Sequence, residues 1–121
     1  MWTWEQRRGK LTRSGDTFYA FGYSGHGSGL NNPTAQDKPQ LGPLPRGLYR
    51  ASPPIHHPRL GRYAMPLVPD PNNRMFGRSA FFIHGDNRAA NRSASHGCII
   101  LPFDVRQKIW TSGDHALSVI E

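Results

Sequence analysis

A single cysteine, Cys98, occurs in 121 residues. One thiol excludes an internal disulfide, so the fold does not depend on an oxidising compartment. Neither a second cysteine nor a Cys-x-x-Cys or His-Glu-x-x-His pattern is present, which removes the usual zinc spacings. Acidic residues are scarce as well: 8 Asp+Glu stand against 15 Lys+Arg, a net charge of +7. That balance suits an anionic partner, whether nucleic acid, a membrane surface or an acidic cell-wall polymer, and it also serves solubility. The basic residues are dispersed, with no run of five. No helix-turn-helix, zinc-finger or aromatic RNA-binding pattern accompanies them, so nucleic acid is not the expected partner. No apolar run approaches the length of a membrane-spanning helix. The opening "MWTWEQRRGK" lacks the apolar core and cleavage site of a Sec signal. The expectation is synthesis in the cytoplasm and, for any action outside it, delivery by another route. Repeats and low-complexity tracts are absent too.

What remains reads as one loop-rich globular domain, 1–121, with 36% hydrophobic residues, 13 glycines and 11 prolines. Trp2 and Trp4 alternate with Thr3 and Glu5, a strand pattern. "KLTRSGDTFYAFGYSG" reads as a hairpin turning at Ser14-Gly15-Asp16. Residues 24–45 form a long loop punctuated by Gly, Pro and Asn, too regular for a linker. Strands are predicted at 47–52, at 62–69 (with Pro66 favouring an edge), at 79–85, at 98–101 and at the C-terminus. Residues 53–61 read as a turn and 70–78 as a loop. The main helical signal is "PFDVRQKIWTSG": Pro102 and Asp104 near its start, Val105, Ile109 and Phe103 sharing a face, Ser112-Gly113-Asp114 ending it. The expectation is a mainly β protein, about seven short strands as a sandwich or barrel, with one helix after the cysteine.

The chemistry gathers in "SASHGCIIL", residues 93–101. A nucleophilic cysteine needs access, a base or positive setting that forms thiolate, and donors for an oxyanion. His84 ends one predicted strand and Cys98 begins another. If those strands pair across the 86–95 connection, imidazole and thiol come within reach. Gly97 lets the backbone turn tightly before the thiol, and Ser95 with nearby carbonyls can hold the far ring nitrogen. Two other readings compete. A lone Cys beside Ile-Ile-Leu also suits a small buried hydrophobe. His84, His96 and Cys98 could instead offer three zinc ligands, with His56 and His57 in reserve. His26 and His115 read as ordinary loop histidines.

His84 followed by Ser95-His96-Gly97-Cys98-Ile99 resembles the L,D-transpeptidase (YkuD-like) signature. "YSGHGSGLNNP" (23–33) and "LGPLPRGLYRA" (41–51) resemble a small subfamily that includes type VI secretion L,D-transpeptidase effectors. The matching stretches run from about residue 19 to 103. The resemblance implies an L,D-transpeptidase-like β fold acting on the tetrapeptide stems of peptidoglycan. Cys98 would attack the carbonyl before the terminal D-alanine, and water or an amine would resolve the acyl-enzyme, giving L,D-carboxypeptidase or L,D-transpeptidase chemistry. By position, His84 is the base, Ser95 orients the site largely through its backbone, His96 supports it, and Gly97 and Cys98 N–H groups are oxyanion-hole candidates. Tyr23 and Ser24 open the N-terminal block and would border the substrate.

Two departures from the larger family stand out. The interval from His84 to Ser95 is short, which implies a more open cleft. Ile100 stands where an Arg or Asn usually follows the cysteine, so another residue must hold the substrate carboxylate: Arg88, Arg92 or Arg78. No cofactor and no metal is expected. The resemblance further implies a monomer acting in the periplasm of a target bacterium, with a cognate immunity protein as partner. The leading reading predicts a low-pKa thiol at Cys98. An inactive module of the same fold, binding cell wall or nucleic acid through its arginines, predicts an inert one.

Overall fold

A computed structural model describes residues 1–121. Its strands are β1 (Trp2–Glu5), β2 (Lys10–Arg13), β3 (Tyr19–Phe21), β4 (Tyr23–Ser24), β5 (Gly47–Ala51), β6 (Ile55–His57), β7 (Gly61–Pro69), β8 (Phe82–His84), β9 (Ile99–Ile100) and β10 (Ala116–Ile120), and the α-helix is α1 (Phe103–Thr111). The sheet runs β3-β2-β1-β10-β5-β7-β8-β9-β4, with β6 paired to β7 off that path. The end strands β3 and β4 are consecutive in the chain with only Gly22 between them, so the sheet curls into a nearly closed barrel. Glycine is required there: a Cβ on Gly22 would lie 2.0 Å from the Ile100 carbonyl oxygen.

Period-2 patterning decides the inner face. Trp2 and Trp4 of β1 point inward while Thr3 and Glu5 are half-buried. In β10, Leu117 and Val119 do the same, and the parallel register pairs Trp2 with Leu117 and Trp4 with Val119. Leu11, Tyr49, Ile83, Ile99 and Leu101 complete the barrel interior. Full burial stabilises each such side chain by about 1.5–3 kcal/mol. The helix closes one end, with Val105 and Ile109 inward and Phe103 half-buried. Asp104 lies in its first turn, and Gly113, at φ +77°, ends it in the left-handed conformation.

The mainly β architecture with one helix after the cysteine is as expected, but the strands number ten rather than about seven. The region read as a turn, 53–61, contains β6: Pro53, Pro54 and Pro58 flank a strand of only three residues and give the stretch the look of a turn. Pro66 lies on an interior strand, since β7 has β5 on one side and β8 on the other. Its carbonyl accepts from Ser52 N–H, just past the end of β5. A strand residue's N–H and C=O point the same way, so the missing donor faces the side that β5 has left. The 24–45 segment is ordered by two 3₁₀ turns, Gly27–Gly29 and Pro33–Ala35, the second capped by Asn32.

Candidate active site

β8 and β9 lie side by side in parallel, Ile83 opposite Ile99 and His84 opposite Ile100. Cys98 and His84 line one cleft of about 820 Å³. The Phe82 N–H donates to Cys98 Sγ at 3.3 Å, which holds the thiol against β8. His84 is 3% exposed, and its Nδ1 stands 2.7 Å from the Gly85 carbonyl, which can only accept. The neutral ring therefore carries its proton on Nδ1 and leaves Nε2 free to take one. Burial pushes the His84 pKa below the ordinary 6.5, although the Gly85 bond pulls it back, and the nearby charge of Arg106 lowers it further.

Burial pushes the Cys98 thiol up, against the pull of the Phe82 N–H, Arg78 and Arg59. This reverses the low-pKa expectation, because the sulfur is withdrawn from water far enough for desolvation to outweigh its positive neighbours. The resting pair is a neutral thiol and a neutral imidazole. A pair in these states can act as nucleophile and base only by moving the proton during attack, since it holds no ready thiolate.

Ser95 is bonded through its hydroxyl as well as its backbone. Its Oγ donates to the Cys98 carbonyl at 2.5 Å and accepts from Gly25 N–H at 2.8 Å and Gly97 N–H at 3.1 Å. The Gly97 N–H is thereby bonded within its own loop. The Cys98 N–H donates to no other residue and faces its own sulfur, so it stays an oxyanion-hole candidate. Gly97 has φ +132°, and a Cβ there would lie 2.5 Å from the Phe81 ring and 2.6 Å from Arg78 Nη2. His96 is exposed on the cleft wall, 5.2 Å between ring centroids from His26. His26 is no ordinary loop residue, because its Nδ1 donates to the Ser95 carbonyl at 2.9 Å.

Three residues expected to meet substrate make hydrogen bonds within the protein. Ser24 is fully buried; its Oγ donates to the Gly97 carbonyl and accepts from Leu44 N–H. Tyr23 donates to Asp86 at 2.7 Å and accepts from Ala94 N–H, and burial, helped by Asp86, pushes its hydroxyl up to about 12. Arg78 is 8% exposed, and its guanidinium donates to four carbonyls: Gln36, Pro43, Gly42 and His96. Arg88 and Arg92 are exposed on the 86–95 loop and do not line the Cys98 cleft. Arg92 borders a separate cavity of about 520 Å³ with Tyr23, Arg62 and Asp86. The cleft itself is lined by His57 and Arg59, two residues hidden in the sequence by the apparent turn at 53–61. Gly61 after "HHPRL" was the available hairpin signal. No three His, Cys, Asp or Glu side chains come together as metal ligands, so the arrangement of His84, His96 and Cys98 around zinc is not formed.

Residues 19–119 match the family model of the Tlde1 domain. This chain belongs to the Tlde1-domain family. The matched residues include His84, Cys98 and every element from β3 to nearly the end of β10. The Tlde1-domain family is one of type VI secretion effectors. Among solved structures, this Tlde1 domain is similar to Bdellovibrio bacteriovorus Bd1075, with a TM-score of 0.63 and 15% identity. The likeness covers 98% of this chain and 46% of that one, so the Tlde1 domain spans less than half the length of that protein; at this identity it is a likeness of fold. No curated protein matches the chain in sequence, and no helix is long and apolar enough to cross a membrane.

Proposed function

We propose that this Tlde1 domain is a peptidoglycan-modifying cysteine enzyme: an L,D-carboxypeptidase or L,D-transpeptidase that removes or exchanges the terminal D-alanine of tetrapeptide stems. The observation that carries the reading is the placement of His84 at the end of β8 and of Cys98 immediately before the adjacent β9, in one cleft, with Gly85 holding the ring so that Nε2 is free. Cys98 Sγ attacks the carbonyl before the terminal D-alanine as His84 Nε2 takes the thiol proton. The Cys98 N–H supports the oxyanion. His84 returns the proton to the departing amine, the C–N bond breaks, and a thioester remains. Water then yields the shortened stem, while an amine yields the exchanged one. Ser95, Gly97, His26 and His96 keep the nucleophile's loop in place. As a type VI effector the protein acts in the periplasm of a target cell, as a monomer that a cognate immunity protein neutralises at home.

A second reading, a non-catalytic wall-binding module, draws on the burial that pushes the Cys98 thiol up. Mass spectrometry of disaccharide-tetrapeptide muropeptides separates the two. Wild-type protein is expected to remove D-alanine or exchange it for an added D-amino acid, and Cys98→Ala to do neither. Unchanged muropeptides with folded wild-type protein would leave only the binding module.

A further inference from the structure

The cleft around Cys98 contains no carboxylate among its lining residues. It holds two guanidinium groups. That of Arg78 is occupied by four carbonyls, while that of Arg59 is exposed and donates to no group of the protein. Arg59 sits at the tip of the β6–β7 hairpin, in the three-residue turn Pro58-Arg59-Leu60. The turn is closed by Gly61 at φ +85°, a conformation glycine adopts without strain.

This tip is held at both ends. His57 Nδ1 accepts from the Arg59 N–H and the Leu60 N–H, each at 3.1 Å. The His57 ring meets Phe82 edge to face at 5.2 Å, and Phe82 is the residue whose N–H grips Cys98 Sγ. At the hairpin base, buried Arg106 donates to the Tyr63 carbonyl at 3.1 Å and the Arg62 carbonyl at 3.3 Å. The turn that carries this cation is thus held beside the cleft, on the strand pair braced against the neighbour of Cys98.

We propose that Arg59 receives the free carboxylate of the stem's terminal residue and makes the site selective for chains that end in a carboxylate, with His57 as its positioning residue. The inference rests on the acyl-transfer reading above. A terminal D-alanine carries its carboxylate one carbon from the scissile nitrogen, and a guanidinium fork fits that group through two parallel N–H donors. Arg59 would also supply the cation that Ile100 does not, from the β6–β7 hairpin rather than from the stretch after the cysteine.

The test is calorimetric binding to Cys98→Ala protein, where no turnover intervenes, using the tetrapeptide stem with a terminal acid and the same stem with a terminal amide. The acid is expected to bind about 10-fold more tightly than the amide. Adding Arg59→Ala should abolish that preference by weakening the acid alone, and Arg59→Lys should retain part of it. His57→Ala should reduce the preference and His57→Asn, whose amide oxygen can accept the same two N–H groups, should restore it. Equal affinity for acid and amide before any change at Arg59 would overturn the proposal. So would an equal loss for both peptides in Arg59→Ala, since the stem's other carboxylates would then be what Arg59 reads. Turnover by the unsubstituted protein is a separate readout: selective binding without cleavage would sink the acyl-transfer reading and leave the Arg59 assignment standing.

Discussion

At the scale of single residues, the site is a neutral pair whose two members are displaced in opposite directions. Burial lowers His84 from its ordinary 6.5 and raises Cys98 from its ordinary 9.0. The base is active when His84 is unprotonated, so the acid limb of kcat/KM is expected below pH 6.5, followed by a plateau that extends to above pH 9. A titration of rate against pH with an acid limb above 6.5 would contradict this geometry. The same shift bears on folding. A histidine with a depressed pKa stabilises the fold fully above its unfolded value, and that contribution is lost as pH falls through the folded value. Arginines divide sharply at this scale. Arg78 and Arg106 are buried on backbone carbonyls, and burial lowers both pKa values; Arg59 alone faces the cleft with its donors free.

At the scale of elements, the short strands are positioned by side chains as much as by ladders. Arg106, on α1, donates to the Leu101 carbonyl at the end of β9 as well as to the two carbonyls at the base of the β6–β7 hairpin. One side chain therefore ties α1, the end of β9 and the hairpin. Arg106→Ala is expected to leave these carbonyls without partners and to cost about 3 kcal/mol in urea unfolding. It should also speed amide exchange at Arg59 and Leu60, because the hairpin opens locally. Wild-type exchange rates at those two amides would show that the base does not hold the tip. The element-level pattern was partly legible. Alternation in β1 and β10, the turn at Ser14-Gly15-Asp16 and the helix signals around α1 all appear where local chemistry puts them. β6 and the interior position of Pro66 were not legible, because a proline's place in a sheet depends on where its neighbours end.

At the scale of the whole molecule, the barrel brings the N-terminal half to the C-terminal signature. β4 pairs with β9, Ser24 bonds Gly97, and Gly25 bonds Ser95, contacts that span about 70 residues of sequence. The charge is global as well: +7 is spread over the chain rather than gathered at the cleft. Such a field draws the protein to an acidic polymer and is screened by salt. Pelleting with purified cell-wall sacculi is therefore expected to weaken steadily as ionic strength rises, by about an order of magnitude between low and several-fold higher salt. Salt-independent pelleting would assign the attraction to the cleft alone.

The sequence by itself determined the uniqueness of the thiol, the mainly β class, the single helix behind the cysteine, and the candidacy of His84, because each follows from residue counts, local periodicity or a short motif. Tertiary structure alone decided which arginine is free, which serine holds the loop, and where the two titrating groups stand relative to their ordinary pKa values. A guanidinium's role depends on whether carbonyls or water surround it, and a thiol's proton affinity on how much water has been excluded. Both are properties of neighbours that lie tens of residues away in the chain.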